Sequence, residues 1–246
     1  VLLSPAALAA LAAEPRCERC ARPSSTCVCD RLAAQKLASP LEVVILQHPQ
    51  EDDVALGTAR LVEAALDRAR VRVGLSWPSL EAAVGREGLD RARWGVLFAT
   101  KAPEGASPPK PGTVTVLDRH EQPREDGAPP LEGLVVLDGT WSQAKTLWWR
   151  NPWLLKLARV SLVPREPSMY GKLRKEPRRE WVSTLEAVAD VLPALAPTRA
   201  SAARVAELEE SRAALRRVMR TMLQRVRDRL EVLGPPEPRD RRPRGS

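Results

Sequence analysis

One tyrosine, one phenylalanine and only two histidines stand among the 246 residues. So few histidines rule out a reaction centre built on several imidazoles. No window approaches the ~20 apolar residues that a membrane-spanning helix needs. The glycine-rich signatures of nucleotide binding are missing too, G-x-x-x-x-G-K-[ST] and G-x-G-x-x-G alike, which weakens the case for a nucleotide-dependent enzyme acting on small molecules. Val1 to Ala13 is apolar but lacks the basic leader of a signal peptide, so a short amphipathic helix is expected there. With no export signal, the expected compartment is the reducing cytoplasm.

What is present is an ordinary globular balance, 43% hydrophobic and 28% charged residues. The length suits one large domain with small appendages. Lysine and arginine number 39 against 31 acidic residues, a net charge of +8. That excess suits a polyanion such as RNA, although a merely arginine-rich protein would carry it as well.

Strand-like apolar runs occur at Leu41–Gln47, Val71–Leu75, Trp94–Thr100, Thr113–Leu117, Leu134–Asp138 and Val160–Val163. Several are continuous rather than alternating, as in strands buried on both faces. Helical patterns lie between them, at Val54–Arg70 and Ser142–Trp149 for example. The alternation predicts an α/β fold with a largely parallel sheet and flanking helices. Pro103 to Pro111 and Glu121 to Pro130 read as loops. Residues 201–231 read as one long arginine-rich helix, and 234–246 as a disordered Pro/Arg-rich tail. The expected division is therefore a cysteine-bearing segment over residues 1–35, a main domain over 36–233, and the tail.

All four cysteines fall within the first segment, as Cys17-x2-Cys20 and Cys27-x-Cys29. Two closely spaced thiolate pairs can complete a tetrahedral zinc shell with no position left for substrate, so a structural zinc is expected. Disulfides, a redox pair or an iron–sulfur cluster fit the compartment and spacing less well. Arg16, Arg19, Arg22 and Arg31 around the cluster are candidates to face RNA phosphate.

Gly133 to Leu137 is a buried-strand pattern that runs into Asp138-Gly139-Thr140-Trp141-Ser142 and then a helix. An acid at the carboxyl end of a parallel strand occupies the usual ligand position of such sheets. Gly139 permits a sharp turn, Thr140 or Ser142 can cap the helix, and Trp141 can stack on a base. The plainer alternative is a strand-to-helix turn with Asp138 as cap and Trp141 in the core, and spacing alone does not displace it. Gln47, His48 and Gln50 follow the first strand at the same kind of position, ahead of Thr58-Ala59-Arg60-Leu61. A loop histidine is more often a hydrogen-bonding residue than a catalyst. Ser183-Thr184-Leu185-Glu186 has the form of a capping box, and also of a helix start that can receive a carboxylate. Among the clustered tryptophans, Trp148 or Trp149 is expected in the core before either serves as a stacking surface. The arginines crowding the long helix, Arg212 to Arg229, read equally as a solvated face or an RNA contact.

Together these motifs resemble the DTW-domain family, the tRNA-uridine aminocarboxypropyltransferases. The resemblance rests on an ordered set over roughly residues 16–190: C-x-R-C-x-R-P with C-x-C, L-Q-H-P-x-E with T-A-R-L, D-G-T-W at 138–141, L-R-x-E-P at 173–177 and S-T-L-E-A at 183–187. The long helix after residue 200 is a departure with no clear place in the family pattern.

The resemblance implies transfer of the 3-amino-3-carboxypropyl group of S-adenosylmethionine to N3 of a tRNA uridine, in the variable loop for bacterial members, releasing methylthioadenosine. It implies a fold similar to the knotted SPOUT-type methyltransferases. Its implied partner is tRNA, with neither membrane nor DNA expected. Asp138, Thr140 and Trp141 are then the candidate catalytic residues, Asp138 as base and Trp141 as stacking surface. Gln47, His48, Gly139, Glu176, Ser183, Thr184 and Glu186 are candidates for holding S-adenosylmethionine. Arg60, Arg174, Arg178 and Arg179 are candidates for holding RNA phosphate. The rivals are an S-adenosylmethionine-dependent RNA methyltransferase and a non-catalytic zinc-bearing RNA-binding protein.

Overall fold

The computed structural model describes residues 5–51, 55–97, 110–124, 128–171, 173, 182–196 and 200–233. The sequence expectations for Glu176, Arg174, Arg178, Arg179 and the tail 234–246 fall outside these residues.

Six strands form one sheet: β1 (Glu42–Gln47), β2 (Ala69–Val73), β3 (Trp94–Leu97), β4 (Val114–Leu117), β5 (Gly133–Asp138) and β6 (Ala158–Leu162). Their spatial order is β2-β1-β5-β3-β6-β4, and all neighbours run parallel except β4, which pairs antiparallel with β6 at one edge. The largely parallel α/β sheet expected from the apolar runs is what forms. Side-chain alternation along the central strands explains why those runs are continuous. Val43, Ile45, Leu134 and Val136 enter one core layer, while Val44, Leu46 and Val135 enter the opposite one.

The first layer is covered by α2 (Ala59–Ala65), α5 (Thr184–Ala194) and α6 (Ala202–Leu233). The cysteine segment joins this layer through Cys20, Val28 and Leu32, and α1 (Pro5–Ala12) joins it through Leu11. The second layer is covered by α3 (Leu80–Val84), α4 (Trp141–Arg150) and the 3-10 turn Pro152–Lys156. In the sheet, Gly133 pairs with Trp94, and a β-carbon on Gly133 would lie 2.5 Å from the indole ring. Glycine at that rung is what lets Trp94 lie flat against the central strand.

One boundary differs from expectation. The helix expected over Val54–Arg70 is confined to Ala59–Ala65 among the described residues, and β2 begins at Ala69. Ala69 and Val71 are buried while Arg70 is exposed, so the sequence there alternates with period two. Arg70 reaches back to the buried Glu42 at 3.1 Å. The strand expected over Trp94–Thr100 forms over Trp94–Leu97, and positions 98–100 lie outside the described residues.

The tryptophan expectation holds for Trp148, which packs against the second core layer, and not for Trp149. Trp153 is the buried member, donating its indole N–H to the Trp77 carbonyl at 2.9 Å. Trp148 is half-buried, with the Arg159 guanidinium 4.8 Å from its ring centroid. Trp149 is 69% exposed, because Leu147 takes the inward position of α4.

Candidate active site

β1 and β5 are neighbours, and Gln47 and Asp138 share their last rung. The chain leaves β1 toward α2 on one face and leaves β5 toward α4 on the other. Connections that diverge in this way open a crevice at the strands' carboxyl ends, where ligands of α/β sheets sit. Asp138 lies at that crevice, half-buried, with both carboxylate oxygens engaged. Gln47 Nε2 donates to Oδ2 at 2.7 Å, and the Thr184 hydroxyl donates to Oδ1. An ionised carboxylate has about four acceptor positions, so two directed donors fix its orientation and leave capacity for a proton from a ligand.

The turn after Asp138 has a defined geometry. Gly139 adopts φ 148°, a conformation that side chains rarely tolerate. A β-carbon there would lie 2.9 Å from Gln143 Cβ. Thr140 caps α4: its hydroxyl accepts from the Gln143 N–H at 3.4 Å, and Gln143 Oε1 accepts from the Thr140 N–H at 2.6 Å. Asp138 is therefore not the cap, and its carboxylate is left for the crevice. Trp141 opens the helix and is 53% exposed rather than in the core.

His48 is buried beside this turn, its backbone N–H donating to the Asp138 carbonyl at 3.1 Å. Its Nδ1 accepts from the Gln50 N–H at 3.1 Å, which puts the proton of a neutral ring on Nε2. Arg60 is exposed on α2 and pairs with Glu63 at 2.8 Å.

The start of α5 is closed by protein partners. Ser183 and Glu186 form a reciprocal capping box. Glu186 is 1% exposed and accepts from the Ser168 hydroxyl, the Met169 N–H, and the N–H and hydroxyl of Ser183, all between 2.8 and 3.0 Å. The Ser183 hydroxyl also contacts Met219 Sδ of α6 at 3.2 Å. These two residues shape the helix start, and Thr184 is the member of the motif that reaches Asp138.

Behind Thr184 runs a chain of contacts that local sequence could not reveal. The Leu185 N–H donates to the hydroxyl of buried Thr58 at 3.2 Å, joining the starts of α5 and α2. Tyr170, the single tyrosine, donates to the Leu56 carbonyl at 2.6 Å. Arg22, only 2% exposed, donates to the carbonyls of Thr26 at 3.2 Å, Gly57 at 3.1 Å and Ala55. The expectation that Arg22 faces RNA phosphate is thus overturned: its guanidinium is consumed by carbonyls that secondary structure leaves unpaired. Thr58 stood inside a recognised motif, yet its partner lies 127 positions away.

The four cysteine sulfurs lie within 4.8 Å of one another, with Cys17–Cys29 at 3.5 Å and Cys20–Cys27 at 3.7 Å. A tetrahedron of thiolates about zinc has edges of about 3.8 Å, so the set fits that ion. Backbone N–H groups of Cys20 and Arg19 hold the Cys17 thiol down to about 6, while burial pushes Cys27 and Cys29 up. Four thiolates this close repel one another, and a dication offsets that repulsion.

α6 clamps this segment. Arg225 takes both oxygens of Asp30 at 2.8 Å and also the Cys27 carbonyl, and it holds the Asp30 carboxyl down to about 2. Arg229 bonds Glu14 at 2.9 Å, Arg212 pairs with Asp190 at 2.7 Å, and Arg216 pairs with Glu166 at 2.7 Å. Four of the arginines that crowd the long helix thus face carboxylates outside α6, and Arg217 pairs with Glu210 within it.

The family model of the DTW domain matches residues 14–227. The chain belongs to the DTW domain family. That match runs through α6 to residue 227, so most of the helix expected to be a departure lies within the DTW domain. Curated relatives include tRNA-uridine aminocarboxypropyltransferase 2 of Macaca fascicularis, 29% identical over 188 residues that cover 74% of this chain and 56% of the relative. The Drosophila melanogaster protein of the same name is 32% identical over 186 residues, 73% of this chain and 66% of the relative. tRNA-uridine aminocarboxypropyltransferase A of Arabidopsis thaliana is 30% identical over 198 residues, 74% and 72%. The matched stretch spans less than two thirds of the two animal relatives. No solved structure matches the chain. Within this DTW domain, the D-G-T-W segment and the S-T-L-E-A segment meet through one hydrogen bond, Thr184 to Asp138.

Proposed function

We propose that the protein transfers the 3-amino-3-carboxypropyl group of S-adenosylmethionine to N3 of a tRNA uridine, releasing methylthioadenosine. The observation that carries this reading is the Asp138 carboxylate, oriented by Gln47 and Thr184 at the crevice where β1 and β5 part. Relatives that bear the name tRNA-uridine aminocarboxypropyltransferase support it.

The reaction forms a bond from N3 to the carbon beside the sulfonium. The carbon–sulfur pair leaves with sulfur, which becomes a neutral thioether and needs no acid. The uracil N3 proton is the remaining difficulty, and Asp138 accepts it as attack proceeds. Its orientation matters most, because the carboxylate must reach N3 within hydrogen-bond distance in the attacking geometry. Thr184 and Gln47 supply that orientation. Thr140 and Gly139 fix the turn that presents Asp138, and Trp141 offers a ring for the extracted uracil. In this reading Gln47, His48 and Gly139 line the donor side. Thr184 acts on Asp138 instead of on the donor's carboxylate, since its hydroxyl is already directed there. Ser183 and Glu186 support the helix start. Glu176 for the donor's ammonium and Arg60, Arg174, Arg178 and Arg179 for phosphate complete the proposal.

Cys17, Cys20, Cys27 and Cys29 hold a structural zinc in this account, within an appendage over residues 1–35 attached to a catalytic domain over 36–233. A cytoplasmic location and a SPOUT-type knotted connection also belong to the proposal. No helix among the described residues is long and apolar enough to cross a membrane.

The decisive experiment incubates purified protein with S-adenosylmethionine and unmodified tRNA, followed by nucleoside mass spectrometry. An aminocarboxypropyl adduct on uridine together with released methylthioadenosine is the expected result. Methylated nucleoside with released S-adenosylhomocysteine would overturn the reading.

A further inference from the structure

α4 begins at the active-site turn and, as the crossover after β5, runs back from the strands' carboxyl ends. Its inward side is fixed by Leu147, and by Trp148 against the Arg159 guanidinium. Its outward side carries Trp141, Lys145 and Trp149, three positions each four residues apart and all exposed. Residues so spaced lie on one helix face, and eight residues rise about 12 Å. Arg150 follows Trp149 and is also exposed. The ten residues of α4 include no acid, and neither Lys145 nor Arg150 pairs with a carboxylate among the described residues.

Trp141 and Trp149, 53% and 69% exposed, share this face with Lys145 between them and Arg150 beside them, and exposed indoles are enriched where a surface makes contacts. Flat aromatic faces interleaved with unpaired cations suit one ligand class, single-stranded nucleic acid, whose bases stack while its phosphates meet the charges. The stripe is continuous with the site through Trp141. Its length of about 12 Å matches three to four nucleotides at about 3.4 Å each.

We propose that the outer face of α4, comprising Trp149, Lys145 and Arg150, docks an unpaired stretch of the substrate RNA beside the nucleotide being modified. A base stacks on Trp149, and phosphates meet Lys145 and Arg150. The inference rests on the reading of tRNA as substrate, and adds to it a site on α4.

The test measures tRNA binding by filter retention for wild type, Trp149→Ala, Trp149→Phe and the double variant Lys145→Ala/Arg150→Ala, with circular dichroism confirming each fold. Trp149→Ala is expected to weaken binding roughly tenfold or more, and Trp149→Phe to retain most of the affinity. The double variant is expected to lower the slope of log affinity against log salt by about 1.4, or about 0.7 for each lost phosphate contact. Unchanged tRNA affinity in Trp149→Ala, while wild type binds and modifies tRNA, overturns this inference alone. So does a Trp149→Ala variant that alters self-association but not tRNA binding, or a double variant with an unchanged salt slope. Wild type that does not bind tRNA overturns both this inference and the functional reading.

Discussion

Thr184, the first residue of α5, donates its hydroxyl to Asp138 at the end of β5, bridging 46 positions of sequence. On the other side, Gln47 donates to the same carboxylate from the neighbouring strand. The acid is thus aimed by side chains from two elements, its neighbour in the sheet and a helix that starts 46 positions later.

Asp138→Asn is expected to abolish most turnover, by about 10²- to 10⁴-fold, the usual contribution of a positioned base. Calorimetry should show S-adenosylmethionine binding near the wild-type value. Full turnover with normal donor binding would remove Asp138 from the role.

Thr184→Val deletes the donor while preserving shape. Its effect is expected in kcat, at about tenfold, with the KM for S-adenosylmethionine little changed, because Thr184 acts through Asp138. Thr184→Ser restores the hydroxyl and should recover most of the rate. A Thr184→Val variant that changes only KM would instead place the hydroxyl on the donor.

Gly139→Ala forces a β-carbon to 2.9 Å from Gln143 Cβ at a φ of 148°. The capping box of α4 must shift to admit it. Strain of this kind costs about 1 to 3 kcal/mol, visible as a lowered midpoint in urea, and turnover falls with it because Asp138 precedes the turn.

Arg22→Met removes a buried guanidinium that binds three carbonyls of its own loop and the 55–57 loop. Unpaired carbonyls in the interior make a loss of about 2 to 4 kcal/mol the expected outcome. If Arg22 instead served RNA, stability would be unchanged and tRNA affinity would fall.

Metal analysis of purified protein is expected to give one zinc per chain. Removing it with a chelator, or replacing Cys20 with Ser, should lower thermal stability sharply, since structural sites of this type contribute binding energy directly to folding. The loss should extend to α6, because Arg225 grips Asp30 and the Cys27 carbonyl. A protein that keeps its melting temperature after complete metal removal would contradict a structural role.

The sequence by itself determined the largely parallel sheet and the grouping of the four cysteines. Continuous apolar runs form the strands because both faces are buried, and closely spaced thiols meet because short turns leave them no alternative. It also made Asp138 a candidate, through the ordered set of motifs around it, while its place at a strand end left a capping role open. What it could not decide was direction. Ser183, Thr184 and Glu186 are equivalent as letters, yet one turns toward Asp138 and two close the helix start. Arg22 and Lys145 are both cations, yet one is sealed against carbonyls and the other lies in water. Trp149 and Trp153 are both tryptophans, yet only Trp153 is buried. Those choices depend on which groups from distant segments arrive at the same place. The order β2-β1-β5-β3-β6-β4 sets that meeting, and it also makes Gln47 and Asp138 neighbours.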